Sequence, residues 1–308
     1  MEKKIIAIVV TYNPTESFLE NILVIHEQLD TILIIDNGSK KKAIKTIEHV
    51  IDLLNLNIIF NKSNLGIATA LNQGFLWAIE HNFEYALTFD QDSYPYPEMV
   101  TKLISAHKSH PKLSKIAVIA PNIIDQAVNI RSRHLRPTGK FTFELVSCEE
   151  SYLDDVVFVI TSGSLCSLSA YKEIGGFRDC FFIDYVDIEY CLHAQSLGYE
   201  IVVACEAKLA HRLGKRDERS FLGRKEYPRF HPPERWYYQS RNRIFVFKEY
   251  LSKKPSLLFY EGANTLYGIV RMLIFEDQRL QKMKAMIMGT YDGVMGNINK
   301  PFRKFLRK

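Results

Sequence analysis

The sequence predicts an α/β fold: a mainly parallel, Rossmann-like sheet flanked by helices, with a basic helical extension at its C-terminal end. Three observations carry that expectation. Over the first 120 residues, short apolar runs alternate with amphipathic stretches, the pattern of βαβ units with helices on both sheet faces. The first four runs each give way to polar residues that suit a ligand-binding rim, because open sheets bind ligands beyond the carboxyl ends of their strands. Charge is also divided unevenly: residues 1–210 carry 18 basic against 26 acidic residues, and residues 211–308 carry 22 against 9.

In chain order, the expected strands are Ile5–Val10, Thr31–Ile35, Asn57–Phe60, Tyr85–Phe89 and Ile116–Ala120. Thr46–Leu54 and Ala68–Ile79 repeat apolar residues at spacings of three and four, which predicts helices between them. Thr11-Tyr12-Asn13-Pro14 follows the first strand, Asp36-Asn37-Gly38-Ser39 the second, Asn61 to Gly66 the third and Asp90-Gln91-Asp92-Ser93 the fourth. Pro121 to Asp155 is less regular. Val156–Ile160 reads as a buried strand ahead of Thr161-Ser162-Gly163-Ser164, and Asp187 to Leu197 as a helix stopped by Gly198. From Pro232 onward the chain looks helical and basic. Two domains are expected, 1–230 catalytic and 231–308 a basic, mostly helical region suited to membrane association or oligomerisation.

At 308 residues, 47% hydrophobic and 24% charged, the chain has ample material for a core. Its five cysteines are odd in number and lack a CxxC pair, so they read as small buried residues in a reducing compartment rather than a disulfide framework. The run Ile5–Val10 is six residues ending in polar Thr11, a strand rather than a signal peptide. No apolar stretch approaches the roughly 20 residues that span a bilayer. A cytoplasmic protein is expected, its basic half facing an anionic partner such as phosphate or the inner face of the cell membrane.

Asp90-Gln91-Asp92 is the sharpest motif. Two carboxylates one residue apart at a strand end suit a hard divalent ion, Mg²⁺ or Mn²⁺, between protein and a substrate diphosphate; a solvated turn is the plain alternative. Asp36 stands where an acid often accepts hydrogen bonds from a ribose or base. Gly66, after Asn64 and Leu65, opens a helix whose N-terminus favours an anion. Asp184, Asp187 and Glu189 lie within six residues ahead of a helix, where acids also serve as caps; spacing alone leaves Asp184 and Asp187 both open. His211, after a strand-like segment, could complete a carboxylate metal site. Arg241 belongs to a run from Glu234 to Arg243 that mixes cations with Trp236, Tyr237 and Tyr238, fit for diphosphate recognition or for plain packing. The tail Lys300 to Lys308 interleaves Phe302, Phe305 and Leu306 with basic residues, as an anionic membrane surface would favour.

Val10-Thr11-Tyr12-Asn13, Ile35-Asp36-Asn37-Gly38-Ser39, Asn64-Leu65-Gly66 with Asn72-Gln73-Gly74, and Asp90-Gln91-Asp92-Ser93 occur in the order seen in inverting glycosyltransferases of family 2. Over residues 4–215 the chain resembles that family and its GT-A fold. The DQDS form, with His231 to Tyr238 and Arg241-Asn242 downstream, is similar to its bacterial rhamnosyltransferases, which typically use dTDP-rhamnose to build surface polysaccharides. The resemblance implies that Thr11, Tyr12, Asn13, Asp36, Asn64, Gly66 and Gln91 serve the donor, with Asp90 near the ribose and Asp92 on the metal. It puts His211 where the family has a metal-associated histidine. Alignment on Cys191-Leu192-His193 makes Asp187 the catalytic base, with Val186 in place of the usual acid and Glu189 in place of Asp.

The implied partners are a nucleotide-sugar donor and a carbohydrate or lipid-linked acceptor, with no nucleic acid. Two rivals are less well served. A nucleotidyltransferase should carry a Gly-rich, basic signature near its first strand, where Thr11-Tyr12-Asn13-Pro14 stands. A nucleic-acid-binding module would explain the basic half but neither the acidic half nor the DQD placement.

Overall fold

The computed structural model describes residues 4–125, 130–211, 219–221, 224–226, 228 and 230–302. Its elements begin β1 (Ile5–Thr11), α1 (Phe18–His26), β2 (Ile32–Asp36), α2 (Lys41–Leu54), β3 (Asn57–Phe60), α3 (Ile67–Glu80), β4 (Tyr85–Asp90), β5 (Ser93–Pro95), α4 (Met99–Ser109) and β6 (Ile116–Asp125). They continue with β7 (Ile130–Arg131), β8 (His134–Pro137), β9 (Phe143–Val146), β10 (Tyr152–Leu153), β11 (Leu165–Ser167), α5 (Leu168–Ile174), α6 (Val186–Ser196) and β12 (Glu200–His211). The last are β13 (Arg219–Phe221), β14 (Arg224–Glu226), α7 (Pro233–Tyr250), α8 (Pro255–Phe275) and α9 (Arg279–Val294). The chain forms two compact units. The first comprises Met1–Arg136, Leu145–Asp179 and Val186–Arg212; the second comprises Pro137–Glu144, Cys180–Tyr185 and Leu213–Lys308.

The first unit is the expected α/β layer structure. Its sheet runs β10-β12-β6-β11-β4-β1-β2-β3, with β5 on β12 and β7 on β6. β1 pairs in parallel with β2 and β4, β2 with β3, and β12 with β6. β11 runs antiparallel between β4 and β6. Residues Ile6 to Val9 and Leu33 to Ile35 are fully buried, as strands covered on both faces must be. Helix α2 starts five residues before the expected Thr46, because its inward face already begins at Ala43 and continues through Ile47 and Val50, with Lys41 and Lys42 at the surface.

Two expectations are corrected. Val156–Ile160 is not a strand; it is an apolar loop segment, and the strand that follows is β11. A short apolar run signals burial, not a ladder partner. Here the polar backbone is satisfied irregularly: Val157 N–H donates to the Leu135 carbonyl, and the Val156 carbonyl accepts from Gln195 Nε2. The cysteines are also not all free thiols. Cys148 and Cys205 form a disulfide with Cα atoms 5.2 Å apart, while Cys166, Cys180 and Cys191 are free. β10 pairs with β12 and Cys205 N–H bonds the Ser151 carbonyl, a register that brings together two residues 57 apart in sequence. Spacing could not show that. Losing this cross-link is expected to cost about 2–4 kcal/mol, measured as a shift of the urea midpoint of Cys148→Ser against the oxidised protein.

The second unit is built on three helices. α7 and α8 carry Pro at their first turns, where the missing N–H costs nothing. Trp236, Tyr237, Tyr238, Met272, Ala285 and Met286 form its core, with Phe182 and Ile183 packed against them. α7 and α9 touch backbone to backbone: a Cβ on Gly289 would lie 2.2 Å from the Tyr237 carbonyl oxygen. Lys282 and Glu276 close a buried ion pair at 2.7 Å. Among the described residues, no helix is long and apolar enough to cross a membrane.

Candidate active site

The strand directions bring the ends of β1, β2, β4 and β12 to one edge of the sheet. β12 runs alongside β6, and the short return strand β5 pairs with its end, placing His211 opposite Ser93. That register gathers the metal-ligand candidates. His211 Nε2 lies 3.6 Å from Asp90 Oδ2, and His211 Nδ1 lies 4.0 Å from Asp92 Oδ1. One ligand atom from each of Asp90, Asp92 and His211 lies within 4.8 Å of the others. Two half-exposed carboxylates and one buried imidazole offer oxygen and nitrogen donors to a common point, a set that fits Mg²⁺ or Mn²⁺.

The loop Thr161 to Ser164 supports this edge. Ser162 Oγ accepts from Asp90 N–H at 3.3 Å and shares a short hydrogen bond with Ser93 Oγ, which lies 3.3 Å from His211 Nδ1. Thr88 of β4 fastens the loop: its N–H donates to the Ser164 carbonyl, its hydroxyl donates to the Thr161 carbonyl, and its own carbonyl accepts from Gly163 N–H. Ser93 and Ser162, fully buried, support the histidine and the Asp90 backbone; both lie in segments singled out from sequence, which assigned neither of them a role.

The other predicted donor residues form an interlocked rim. Thr11 and Asp36 face each other across β1 and β2, 0% and 1% exposed. Asp36 Oδ1 accepts from the Thr11 and Ser39 hydroxyls and Oδ2 from Ser39 N–H, so the carboxylate organises the loop from within. Asn13, in the left-handed region at φ 50°, donates its N–H to Ser39 Oγ and accepts from Lys40 N–H. Tyr12 is 47% exposed, and its N–H donates to Gln91 Oε1 at 2.8 Å. Gln91 thus ties the DQD turn to the end of β1. Asn64 Oδ1 accepts from Asn37 Nδ2 and from Gly66 N–H, and Gly66 at φ 89° opens α3. Asn61 and Gln73, also unassigned from sequence, bond reciprocally behind this turn.

Asp187 sits in the first turn of α6, half-buried, its Oδ1 accepting from Ile188 N–H at 2.9 Å. It lines a small cleft with Thr161, Phe177, Tyr190 and Cys191. Thr161 precedes Ser162, so one loop borders both Asp187 and the metal-ligand group. Burial pushes the thiols of Cys166 and Cys191 up, Cys166 to about 12, which keeps both protonated and inert. Glu189 is buried and paired with Arg178 at 2.7 Å.

Asp184 and Arg241 belong to the second unit. Asp184 accepts Nε and Nη2 of Arg235 at 2.9–3.2 Å, and its carbonyl accepts from Asn242 Nδ2. Arg241 is 1% exposed; it donates to the carbonyls of Cys180 and Lys300 and to Asn242 Oδ1, with its guanidinium 4.9 Å from the Tyr238 ring centre. Those bonds make it an organiser of the second unit. Arg241→Gln is expected to lower stability by about 1–3 kcal/mol through orphaned buried carbonyls, seen as a fall in melting temperature at unchanged donor KM. The expected basic tail is described only as far as Phe302; residues 303–308 lie outside the described residues.

Known proteins resemble this chain in sequence and in fold. The sequence pattern of glycosyl transferase family 2 matches residues 6–175. The chain is similar to the dTDP-rhamnosyl transferase RfbF of Shigella flexneri, 28% identical over 96% of this chain and 97% of that one. It is also similar to the low-salt glycan biosynthesis hexosyltransferase Agl10 of Haloferax volcanii, 21% identical over 97% of this chain and 94% of that one. Among solved structures, the fold resembles the mannosyltransferase PcManGT of Pyrobaculum calidifontis, solved with GDP-Man and Mn²⁺, at a TM-score of 0.59 and 12% identity over 96% of this chain and 88% of that one.

Proposed function

The chain belongs to glycosyl transferase family 2, with a GT-A fold, and on that footing we propose that it moves L-rhamnose from dTDP-rhamnose onto a saccharide or lipid-linked acceptor of a bacterial surface polysaccharide. The observation that carries the donor is the 28% identity to a dTDP-rhamnosyl transferase along nearly the whole of both chains. The observation that carries the chemistry is the convergence of Asp90, Asp92 and His211 beside the loop that borders Asp187.

In this reading the first unit handles donor and acceptor. Tyr12, its N–H held by Gln91, offers an exposed side chain to the nucleobase, and Gly66 opens α3, whose N-terminus favours an anionic donor group. Asp92 and His211 would hold Mg²⁺ or Mn²⁺, with Asp90 beside them toward the ribose; a bound divalent ion supplies charge neutralisation to a diphosphate leaving group. Asp187 takes the proton of the acceptor hydroxyl as that oxygen attacks the anomeric carbon, and the single displacement inverts the configuration. The basic second half is read as facing an anionic membrane, where a lipid-linked acceptor resides.

A panel of nucleotide sugars tests the donor. Hydrolysis and calorimetric binding, each with and without Mn²⁺, are expected to favour dTDP-rhamnose at least about tenfold over UDP-hexoses, the discrimination a few pocket contacts supply. Better turnover of a UDP-hexose would remove the rhamnose assignment and leave the family intact.

A further inference from the structure

Helix α8 is apolar on both sides. On the inner side Ile269 and Met272 join the Trp236 cluster. On the other side Phe259, Leu266, Tyr267, Val270, Leu273 and Ile274 are 36–66% exposed. Their spacing places them on one helical face, a stripe about 22 Å long at 1.5 Å per residue. The helix carries only two charged residues, Glu261 and Arg271. Glu261 accepts the Tyr185 hydroxyl, and Arg271 lies over the Tyr267 ring. Helix α9 repeats the pattern, with Leu280, Ile287, Tyr291 and Val294 52–79% exposed. A helix with apolar residues on two sides needs cover on both, and exposed apolar stripes of this size mark interaction surfaces.

The surrounding charge says what covers it. Between residues 251 and 302, Lys253, Arg279 and Lys284 are exposed, against one exposed acid among the described residues, Asp277. Glu276 and Asp292 are engaged by Lys282 and Lys300. A second copy docking through the same face would set like charges against each other. An anionic lipid surface meets those cations with phosphates and the stripe with acyl chains.

We propose that the outward face of α8, with the stripe of α9, is a docking surface for an anionic bilayer, on which the helix lies in the interface plane. The assignment rests on the membrane reading of the basic half given above, and is independent of the donor. The test is co-sedimentation of the full chain with vesicles of equal phosphatidylglycerol and phosphatidylcholine, against phosphatidylcholine alone. The wild type is expected to bind the anionic vesicles and to bind less as salt rises. L266E/V270E is expected to bind at least about tenfold more weakly, with the uncharged L266S/V270S reduced in the same direction and donor hydrolysis unchanged in both. Wild type that ignores anionic vesicles overturns the membrane reading together with this one. Binding that survives both double variants overturns the α8 assignment alone, and so does a wild-type dimer in light scattering that the same variants split, since a second copy then covers the face.

Discussion

Asp92→Asn is expected to lower turnover by about two to three orders of magnitude, the usual cost of removing a preorganised charge from a transferring group. Asp92 is the more exposed of the two acids beside His211, at 48% against 40%. The substitution keeps its size and removes half of the site's carboxylate charge. Asp90→Asn should weaken donor binding as well, because its carboxylate, 3.6 Å from His211 Nε2, is the one read as facing the donor ribose. Excess EDTA should silence the wild type, and added Mn²⁺ should restore it. Full turnover in the chelator would end the metal reading, whatever the variants do. Ser162→Ala separates the ligands from their support: it should shift the Mn²⁺ concentration needed for half activity more than the rate at saturating metal.

The parallel core was legible because its signal is local and repeated. Ile5 to Val10 and Ile32 to Ile35 are continuous apolar runs rich in β-branched residues, and such runs with helices between them have few other solutions. What sequence could not show depends on long-range register. β11 is three residues long and lies antiparallel between β4 and β6; nothing in Leu165-Cys166-Ser167 announces a central strand, whereas Val156 to Ile160 does and is a loop. The Cys148–Cys205 disulfide follows from the pairing of β10 with β12, a contact invisible to spacing arithmetic.

The candidate site divides the same way. Asp90 and Asp92 could be found because they share one turn, whereas His211 reads as a lone imidazole after a strand-like segment until the family pattern adds weight to it; its geometric cause is β5 folding back onto β12. Arg241 shows the opposite outcome. A cation among aromatics reads equally as a phosphate ligand or a packed side chain, and burial at 1% with its donors engaged by protein carbonyls and Asn242 gives the second. Asp36 illustrates a subtler case: the loop around it is where sequence put it, yet its carboxylate is turned inward to Thr11 and Ser39.

Asp187→Asn is expected to cost about 10²–10⁴-fold in transfer rate, the range for loss of a general base, while donor affinity stays within a few-fold. The change preserves shape and keeps an oxygen for Ile188 N–H, which donates to Asp187 Oδ1, so α6 should stay folded. Asp184→Asn is the matched control, because sequence spacing alone did not separate the two acids. Its carboxylate is bound by Arg235 through three contacts, so its loss should appear chiefly as a lower melting temperature. Three measurements distinguish the roles: acceptor-dependent transfer, donor binding by calorimetry, and thermal unfolding. A base at Asp187 predicts collapse of the first alone, and the acidic limb of the pH–rate profile should vanish with it, since that limb reports protonation of the base. If Asp184→Asn stops transfer at unchanged stability while Asp187→Asn leaves it largely intact, the base is Asp184. If Asp187→Asn abolishes donor binding, the residue shapes the donor pocket and another group takes the proton.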